Sequence, residues 1–162
     1  MKLKCLIVVR CGESETIHNQ LTNFGRMQML ALNEMLKPYF DRLGSSSVLI
    51  VTPPSIPERE SAWIIANAFD FDVEENDALC IDTDHPKDSL GSAFDFVESK
   101  SEEVEVLIVI TQKDYASRLM CYYSGRKIGY SFGNFLTNNG DAIVYEDRGF
   151  TMTHIQNPHK SR

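Results

Sequence analysis

The sequence lacks several features, and each absence excludes a class of protein. No apolar run in its 162 residues approaches the length of a membrane-spanning helix. The amino terminus shows no secretory apolar region followed by a small-residue cleavage site. Basic residues are few: 16 Lys and Arg against 23 Asp and Glu give a net charge of −7, which repels nucleic-acid phosphates. We therefore expect neither a membrane protein nor a direct nucleic-acid binder.

Cysteines are also few, and their spacing shows no metal-type pairing. The four are Cys5, Cys11, Cys80 and Cys121, several of them in apolar runs. This pattern indicates reduced thiols and a cytoplasmic protein, with a nuclear location as the alternative. We expect no metal site and no cofactor. The length suits one domain, for which we predict residues 1–156, followed by a polar tail over residues 157–162.

Apolar segments of strand and helix type alternate along the chain. The strongest predicted strands are Leu6–Val9, Val48–Val51 and Val106–Ile110, all short apolar runs rich in β-branched residues. Periodic apolar residues predict helices over Thr22–Leu43, from Ser55, around Leu90–Val97, and from Ala116 to a C-cap at Gly125. Alternation of this kind predicts a three-layer α/β/α fold, with a mostly parallel central sheet and helices on both faces.

Three weaker features complete the predicted fold. Pro38 lies within the first helix and predicts a kink or an early end there. The acidic segment Asp70–Asp88 has a weak strand pattern at Ala78–Ile81. Ala142–Tyr145 and Phe150–Ile155 predict a terminal hairpin, which adds at least one antiparallel strand at an edge of the sheet.

The stretch Leu6–Gln28 carries the main functional signal. The first strand is followed by Arg10-Cys11-Gly12-Glu13-Ser14, and Leu-Thr-x-x-Gly-x-x-Gln then leads into the first helix. Ligands of open α/β folds lie beyond the carboxyl ends of the strands. Arg10 and Cys11 are therefore candidate site residues.

This stretch resembles the first motif of the histidine phosphatase superfamily, which has the phosphoglycerate-mutase-like fold. The family pattern is a strand, Arg-His-Gly-Glu-Ser, and then Leu-Thr-x-x-Gly-x-x-Gln. Arg10 matches, and Cys11 stands at the position of the nucleophilic histidine. The resemblance implies the three-layer fold already predicted, and a phosphate site formed by that histidine, a second histidine and two arginines.

The second family motif follows the second strand, and its arginine is missing here. Thr52-Pro53 and Ser61-Ala62 match the two ends of the motif. The arginine position holds Ile56 when counted from the front and Pro57 when counted from the back. Arg59 lies nearby, and the resemblance favours an outward, solvated position for it over a contact with phosphate.

The third family motif follows the strand Val106–Ile110. Thr111 matches the family's serine, Gln112 takes the position of the second histidine, and Lys113 replaces a glycine. A glutamine can hydrogen-bond a phosphate oxygen, but it carries no charge at neutral pH. The candidate anion contacts are thus Arg10, Arg59, Thr111 and Lys113.

Together these substitutions predict a catalytically inactive, histidine-phosphatase-like protein. Loss of a nucleophile alone removes most of an enzyme's rate. We therefore expect a pseudophosphatase that acts as a protein-binding or scaffold subunit, with protein partners and a homodimer as the alternative. The predicted contact surfaces are Asp70–Asp88, the aromatic-rich stretch Tyr122–Phe135 and the edge of the terminal hairpin.

Two other functions stay open from the sequence. The first is a divergent phosphatase that uses the Cys11 thiolate, activated by Arg10. Thiol phosphatases need Cys-x5-Arg, and the arginine position of that pattern holds Ile17. The second is a binder of phosphorylated ligands without turnover, which would use Arg10, Thr111 and Gln112.

Overall fold

The computed structural model describes residues 3–44, 46–82, 84–112, 115–129 and 137–161. The strands are β1 (Cys5–Arg10), β2 (Val48–Thr52), β3 (Asp72–Glu75), β4 (Val106–Thr111), β5 (Ala142–Glu146) and β6 (Thr151–Ile155). The α-helices are α1 (Asn23–Leu43), α2 (Ile56–Phe69), α3 (Pro86–Ser101) and α4 (Tyr115–Ile128), with a short 3₁₀ helix at Asp77–Leu79. Within these ranges, no helix is both long enough and apolar enough to cross a bilayer.

The six strands form one sheet in the order β3-β2-β4-β1-β5-β6. The neighbours β3-β2, β2-β4 and β4-β1 are parallel, whereas β5 runs antiparallel to both β1 and β6. The register of β1 on β4 places Arg10 beside Thr111, so the carboxyl ends of these strands meet at one edge of the sheet. The predicted α/β fold, its mostly parallel sheet and its antiparallel terminal hairpin are confirmed.

Side chains of the central strands alternate between two apolar layers. Ile7 and Ile108 pack with α1 and α2 on one face, in a cluster that includes Leu32. Leu6 and Leu107 pack with α3 and α4 on the other face. Strands that are buried on both faces contain apolar residues in succession, so these strands could be predicted from the sequence.

The predicted end of the first helix at Leu43 is confirmed, whereas the predicted C-cap at Gly125 is wrong. Helix α1 runs through Pro38 without an early end, and α4 continues past Gly125 to Ile128. Pro38 has no N–H to donate to the carbonyl of Glu34, four residues before it. Both residues are exposed, so water can bind that carbonyl instead. A glycine within a helix costs about 1 kcal/mol. In α4, the basic residues of the last turn interact favourably with the helix dipole and so favour continuation of the helix past Gly125.

The acidic segment is more regular than its sequence indicates, and the predicted strand position is wrong. The strand is Asp72–Glu75, at the edge of the sheet, and Ala78 lies in the 3₁₀ helix. The side chain of Asn76 caps that helix by accepting the amide of Ala78 at 2.9 Å. An edge strand with acidic residues has little apolar content, and so it gave no strand signal.

The segment predicted as a polar tail packs against the domain over its described residues. Asn157 is completely buried, and its side-chain amide donates to the carbonyls of Gln28 at 2.7 Å and Gly140 at 3.0 Å. The Gln28 side chain in turn donates to the His159 carbonyl at 2.9 Å. These bonds attach the carboxyl-terminal segment to helix α1.

Candidate functional site

A cavity of about 230 Å³ opens beyond the carboxyl ends of β1 and β4. Its described lining comprises Arg10, Cys11, Ser14, Asn19, Ser55, Pro57, Glu58, Gln112 and Asn139. The cavity lies below the roughly 300–1,000 Å³ of pockets for drug-sized ligands, so it suits a small polar group. Arg10, Cys11 and Gln112, which the sequence assigned to one site, are brought together.

Arg10 is held by the loop that precedes β5. Its guanidinium donates to the carbonyl of Thr137. Its backbone N–H donates to the Asp141 carbonyl at 2.9 Å, and its own carbonyl accepts the N–H of Gly140 at 3.0 Å. The same loop contributes Asn139 to the cavity lining. This loop forms one wall of the cavity, and sequence analysis gave no signal for it.

Cys11 lies at the end of β1 as a buried, protonated thiol. Its side chain is 7% exposed, and its backbone N–H donates to the Thr111 carbonyl at 2.8 Å. Burial, and then the nearby charge of Glu58, raises its pKa to about 12, and the opposing effect of Arg10 is smaller. Arg10 therefore does not produce the reactive thiolate that a cysteine-dependent phosphatase needs.

Alkylation at neutral pH should distinguish Cys11 from an activated nucleophile. We expect iodoacetamide to modify the exposed Cys80 first and to leave Cys11 intact, because a pKa near 12 makes the thiolate fraction roughly a thousandfold smaller than at the ordinary value near 9. The rate at Cys11 should rise with pH up to that range. Peptide mass spectrometry measures both sites in one sample, and modification of Cys11 as fast as Cys80 would contradict the assignment.

Three predicted anion contacts fall outside the described cavity lining. The hydroxyl of Thr111 is buried and donates to the Val9 carbonyl at 3.1 Å, so it links β4 to β1. Arg59 pairs through Nε with Glu75 at 2.8 Å and donates from Nη2 to the Pro54 carbonyl at 2.9 Å. The third, Lys113, lies outside the residues that the structure describes.

Pro57 is the residue of the second motif that lines the cavity, whereas Ile56 is 42% exposed. Neither of the two positions considered for the family's second arginine, Ile56 and Pro57, holds a charged side chain. Arg59 follows two residues later on α2, and a rotation of about 100° per residue carries it away from Pro57 and toward β3. The outward position expected for Arg59 fits its pair with Glu75.

Glu58 is a site residue that sequence analysis missed. The residue is 3% exposed and lines the cavity beside Pro57. Ser55 and Glu58 have the spacing of a capping box, which agrees with the helix predicted from Ser55. In the structure the Ser55 hydroxyl instead donates to Oε2 of Glu58 at 2.6 Å and accepts no backbone N–H of α2. The helix-start pattern was the only available signal for this buried carboxylate.

The remaining matched residues of the first motif shape the loop between β1 and α1. The Gly12 N–H donates to the Ser61 hydroxyl at 3.1 Å, and the Glu13 N–H donates to Oε1 of Gln28 at 2.8 Å. Thr22 is the N-cap of α1, as predicted, and accepts the Gly25 N–H at 2.9 Å. These contacts fix the loop that carries Ser14 and Asn19 into the cavity wall.

None of the four histidines is among the lining residues that the structure describes. His18 is exposed on the loop after β1. His85 lies 3.1 Å from a carboxylate oxygen of Asp82, and His154 lies 3.1 Å from one of Asp141. The ring of His159 packs edge-on against Phe24. The described cavity therefore contains one arginine, one carboxylate and a thiol, among neutral polar groups.

No family model matches the sequence, and no curated protein matches it. Solved structures match in fold: the alpha-ribazole phosphatase of Shigella flexneri has a TM-score of 0.63 at 12% identity, over 98% of both chains. The phosphoglycerate mutase of Plasmodium falciparum has a TM-score of 0.57 at 19% identity, over 100% of this chain and 94% of that one. The protein histidine phosphatase SixA, complexed with tungstate, has a TM-score of 0.62 at 14% identity, over 93% of both. The chain has the fold of the histidine phosphatase superfamily.

Proposed function

We propose that this protein is a catalytically inactive, histidine-phosphatase-like protein that acts as a protein-binding or scaffold subunit. One observation carries the proposal: Cys11, at the position of the family's nucleophile, is a buried thiol whose pKa is raised to about 12. The thiolate, rather than the thiol, attacks phosphorus. At neutral pH the chain therefore presents no charged or activated nucleophile at this position.

The charges around the cavity support the same proposal. Phosphoryl transfer needs donors and cations that hold the negative charge of the transition state. Arg10 lines the cavity, but Arg59 pairs with Glu75, and the Glu58 carboxylate brings a negative charge to the lining. SixA is described in a complex with tungstate, an oxyanion. Glu58 opposes a corresponding complex here, and it opposes the alternative of a phospho-ligand binder that relies on Arg10 and Gln112.

The described residues of the proposed partner surfaces are not among those that line the cavity. Tyr122, which opens the aromatic-rich stretch, is 52% exposed and packs against Phe94. Part of that stretch, residues 130–135, lies outside the described ranges. In Asp70–Asp88, strand β3 leaves its acidic side chains at the sheet edge. All four cysteines are free thiols, which supports the proposed cytoplasmic location.

Phosphomonoester hydrolysis tests the catalytic part of the proposal. We expect the purified protein to hydrolyse p-nitrophenyl phosphate no faster than the buffer blank. The double variant Cys11→His with Gln112→His should also stay far below an active enzyme, because a missing charge-stabilising donor costs on the order of 3 kcal/mol. Turnover of the wild type that Cys11→Ser abolishes would refute inactivity and establish the cysteine-dependent alternative.

Affinity capture tests the scaffold part. The tagged wild type should enrich defined proteins from extract of its native cells, relative to the tag alone, as measured by quantitative mass spectrometry. Tyr122→Ala should reduce the enrichment of partners that use the aromatic surface, and Leu30→Ala, at another exposed apolar position on α1, is the matched control. Wild-type capture indistinguishable from the tag would argue against a scaffold.

A further inference from the structure

Glu58 is a buried carboxylate without a cationic partner among the described residues. Its one hydrogen bond in that part of the chain comes from the Ser55 hydroxyl, and no described lysine or arginine forms an ion pair with it. A buried charge is costly unless it is paired and hydrogen-bonded. Glu58 is the third residue of α2, where the positive end of the helix dipole favours a carboxylate. The helix compensates for part of that cost, and Glu58 is among the residues that line the cavity.

Arg10 shares the cavity with Glu58. The Arg10 guanidinium is turned to the carbonyl of Thr137. At the Cys11 thiol, Glu58 raises the pKa more than Arg10 lowers it, so the carboxylate has the larger effect at that sulfur. The net charge of −7 adds to the same negative field.

The rest of the described lining can accept hydrogen bonds from a cationic group. Ser14, Asn19, Gln112 and Asn139 carry hydroxyl or amide oxygens, which accept hydrogen bonds from N–H groups. A guanidinium has five such donors, and an ammonium has three. A volume of about 230 Å³ holds either group with the end of its aliphatic stem. Charged donors form the stronger hydrogen bonds to a carboxylate.

We infer that this cavity binds a positively charged lysine or arginine side chain of a protein partner, with Glu58 as its counter-ion. The inference rests on the proposed scaffold function, because an active phosphatase would need the same cavity for an anion. It reverses the charge preference expected of a phosphate site. The substitution of the family's second arginine by Pro57 and the buried position of Glu58 together produce this reversal.

Binding is tested by NMR titration of the full chain at constant ionic strength. The reporters are the backbone amides of Cys11, Gly12 and Gln112, and the probes are acetyl-Gly-Arg-Gly-amide, its lysine and citrulline counterparts, and inorganic phosphate. Citrulline keeps the shape of arginine without its charge. We expect saturable shifts with the arginine or lysine peptide, at least about tenfold weaker binding of the citrulline peptide, and no saturation by phosphate over the same concentrations.

Two variants, each of which removes one negative charge, test whether Glu58 is the counter-ion. Glu58→Gln should weaken binding of the cationic peptide by about tenfold or more, and Glu34→Gln, at an exposed position on α1, should leave it unchanged. If Glu58→Gln does not fold, comparison of the arginine and citrulline peptides with the wild-type protein still tests the inference. Equal binding of those two peptides, or saturation by phosphate, would overturn the inference. Phosphatase turnover is assayed on the same samples: turnover refutes the proposed function, whereas its absence without peptide binding refutes the cation site alone.

Discussion

Replacing Gly25 by alanine is expected to lower the free energy of unfolding by about 3 kcal/mol or more. A Cβ atom at Gly25 would lie 2.0 Å from the carbonyl oxygen of Glu13 and 2.9 Å from its amide nitrogen. Both neighbours are backbone atoms, so no side-chain rotation can relieve the clash. Gly12 meets the same restriction from the other side, because its Cβ would lie 2.5 Å from the carbonyl oxygen of Gly25. Helix α1 and the loop after β1 thus touch backbone to backbone.

Gly91→Ala is the matched control, since Gly91 also lies within a helix. Nothing lies within 4 Å of the position that its Cβ would take. Alanine there should stabilise α3 by about 0.5–1 kcal/mol, because glycine loses more backbone entropy on folding. Urea unfolding followed by circular dichroism measures both variants. Effects of the same sign would show that the contact between Gly12 and Gly25 does not restrict the loop.

The central strands could be predicted from the sequence because each is buried on both faces. Val106–Thr111 is apolar from its first residue to its fifth, and all six residues are buried. The edge strand Asp72–Glu75 could not, because hydrogen bonds to β2 place it while its side chains remain partly in water. Local periodicity reports burial, and an edge strand is buried least.

The residues of the candidate site also divide into those that could be predicted from the sequence and those that could not. Arg10, Cys11 and Gln112 follow strands that are adjacent in the sheet, so the rule that sites lie at the carboxyl ends of strands places them correctly. Asn139 reaches the cavity only because β5 pairs with β1 across more than a hundred residues of sequence. Such a contact depends on topology, and no local pattern marks it.

Glu58 and Arg59 show a second limit of sequence reasoning. The two are adjacent, and each was interpreted by residue type: an acid at a helix start and a basic residue near a phosphate motif. Helical rotation separates them, with Glu58 in the cavity and Arg59 beside Glu75. Which of two neighbouring charges faces a site is decided by the packing of the whole helix on the sheet. That information is absent from a short motif.

Replacing Asp141 by alanine is expected to lower the free energy of unfolding by about 2–4 kcal/mol. Its carboxylate is completely buried and accepts the N–H of Asn138 at 2.9 Å and the N–H of Asn157 at 2.7 Å. The ring nitrogen Nε2 of His154 lies 3.1 Å from the same carboxylate. Alanine would remove the acceptor of the buried Asn157 N–H, and an unsatisfied buried donor costs roughly 1–3 kcal/mol.

The loss of stability should be greatest where Asp141 joins the cavity wall to the carboxyl-terminal segment. Hydrogen exchange at the amides of Asn138 and Asn157 should therefore accelerate more in Asp141→Ala than exchange in the central strands. Asp95→Ala, at an exposed position on α3, is the control and should change stability by no more than about 0.5 kcal/mol. Because Asp141 also positions Arg10 through its backbone carbonyl, the Arg10 amide is the third reporter. Similar unfolding free energies for the two variants would show that the Asp141 carboxylate does not hold the wall in place.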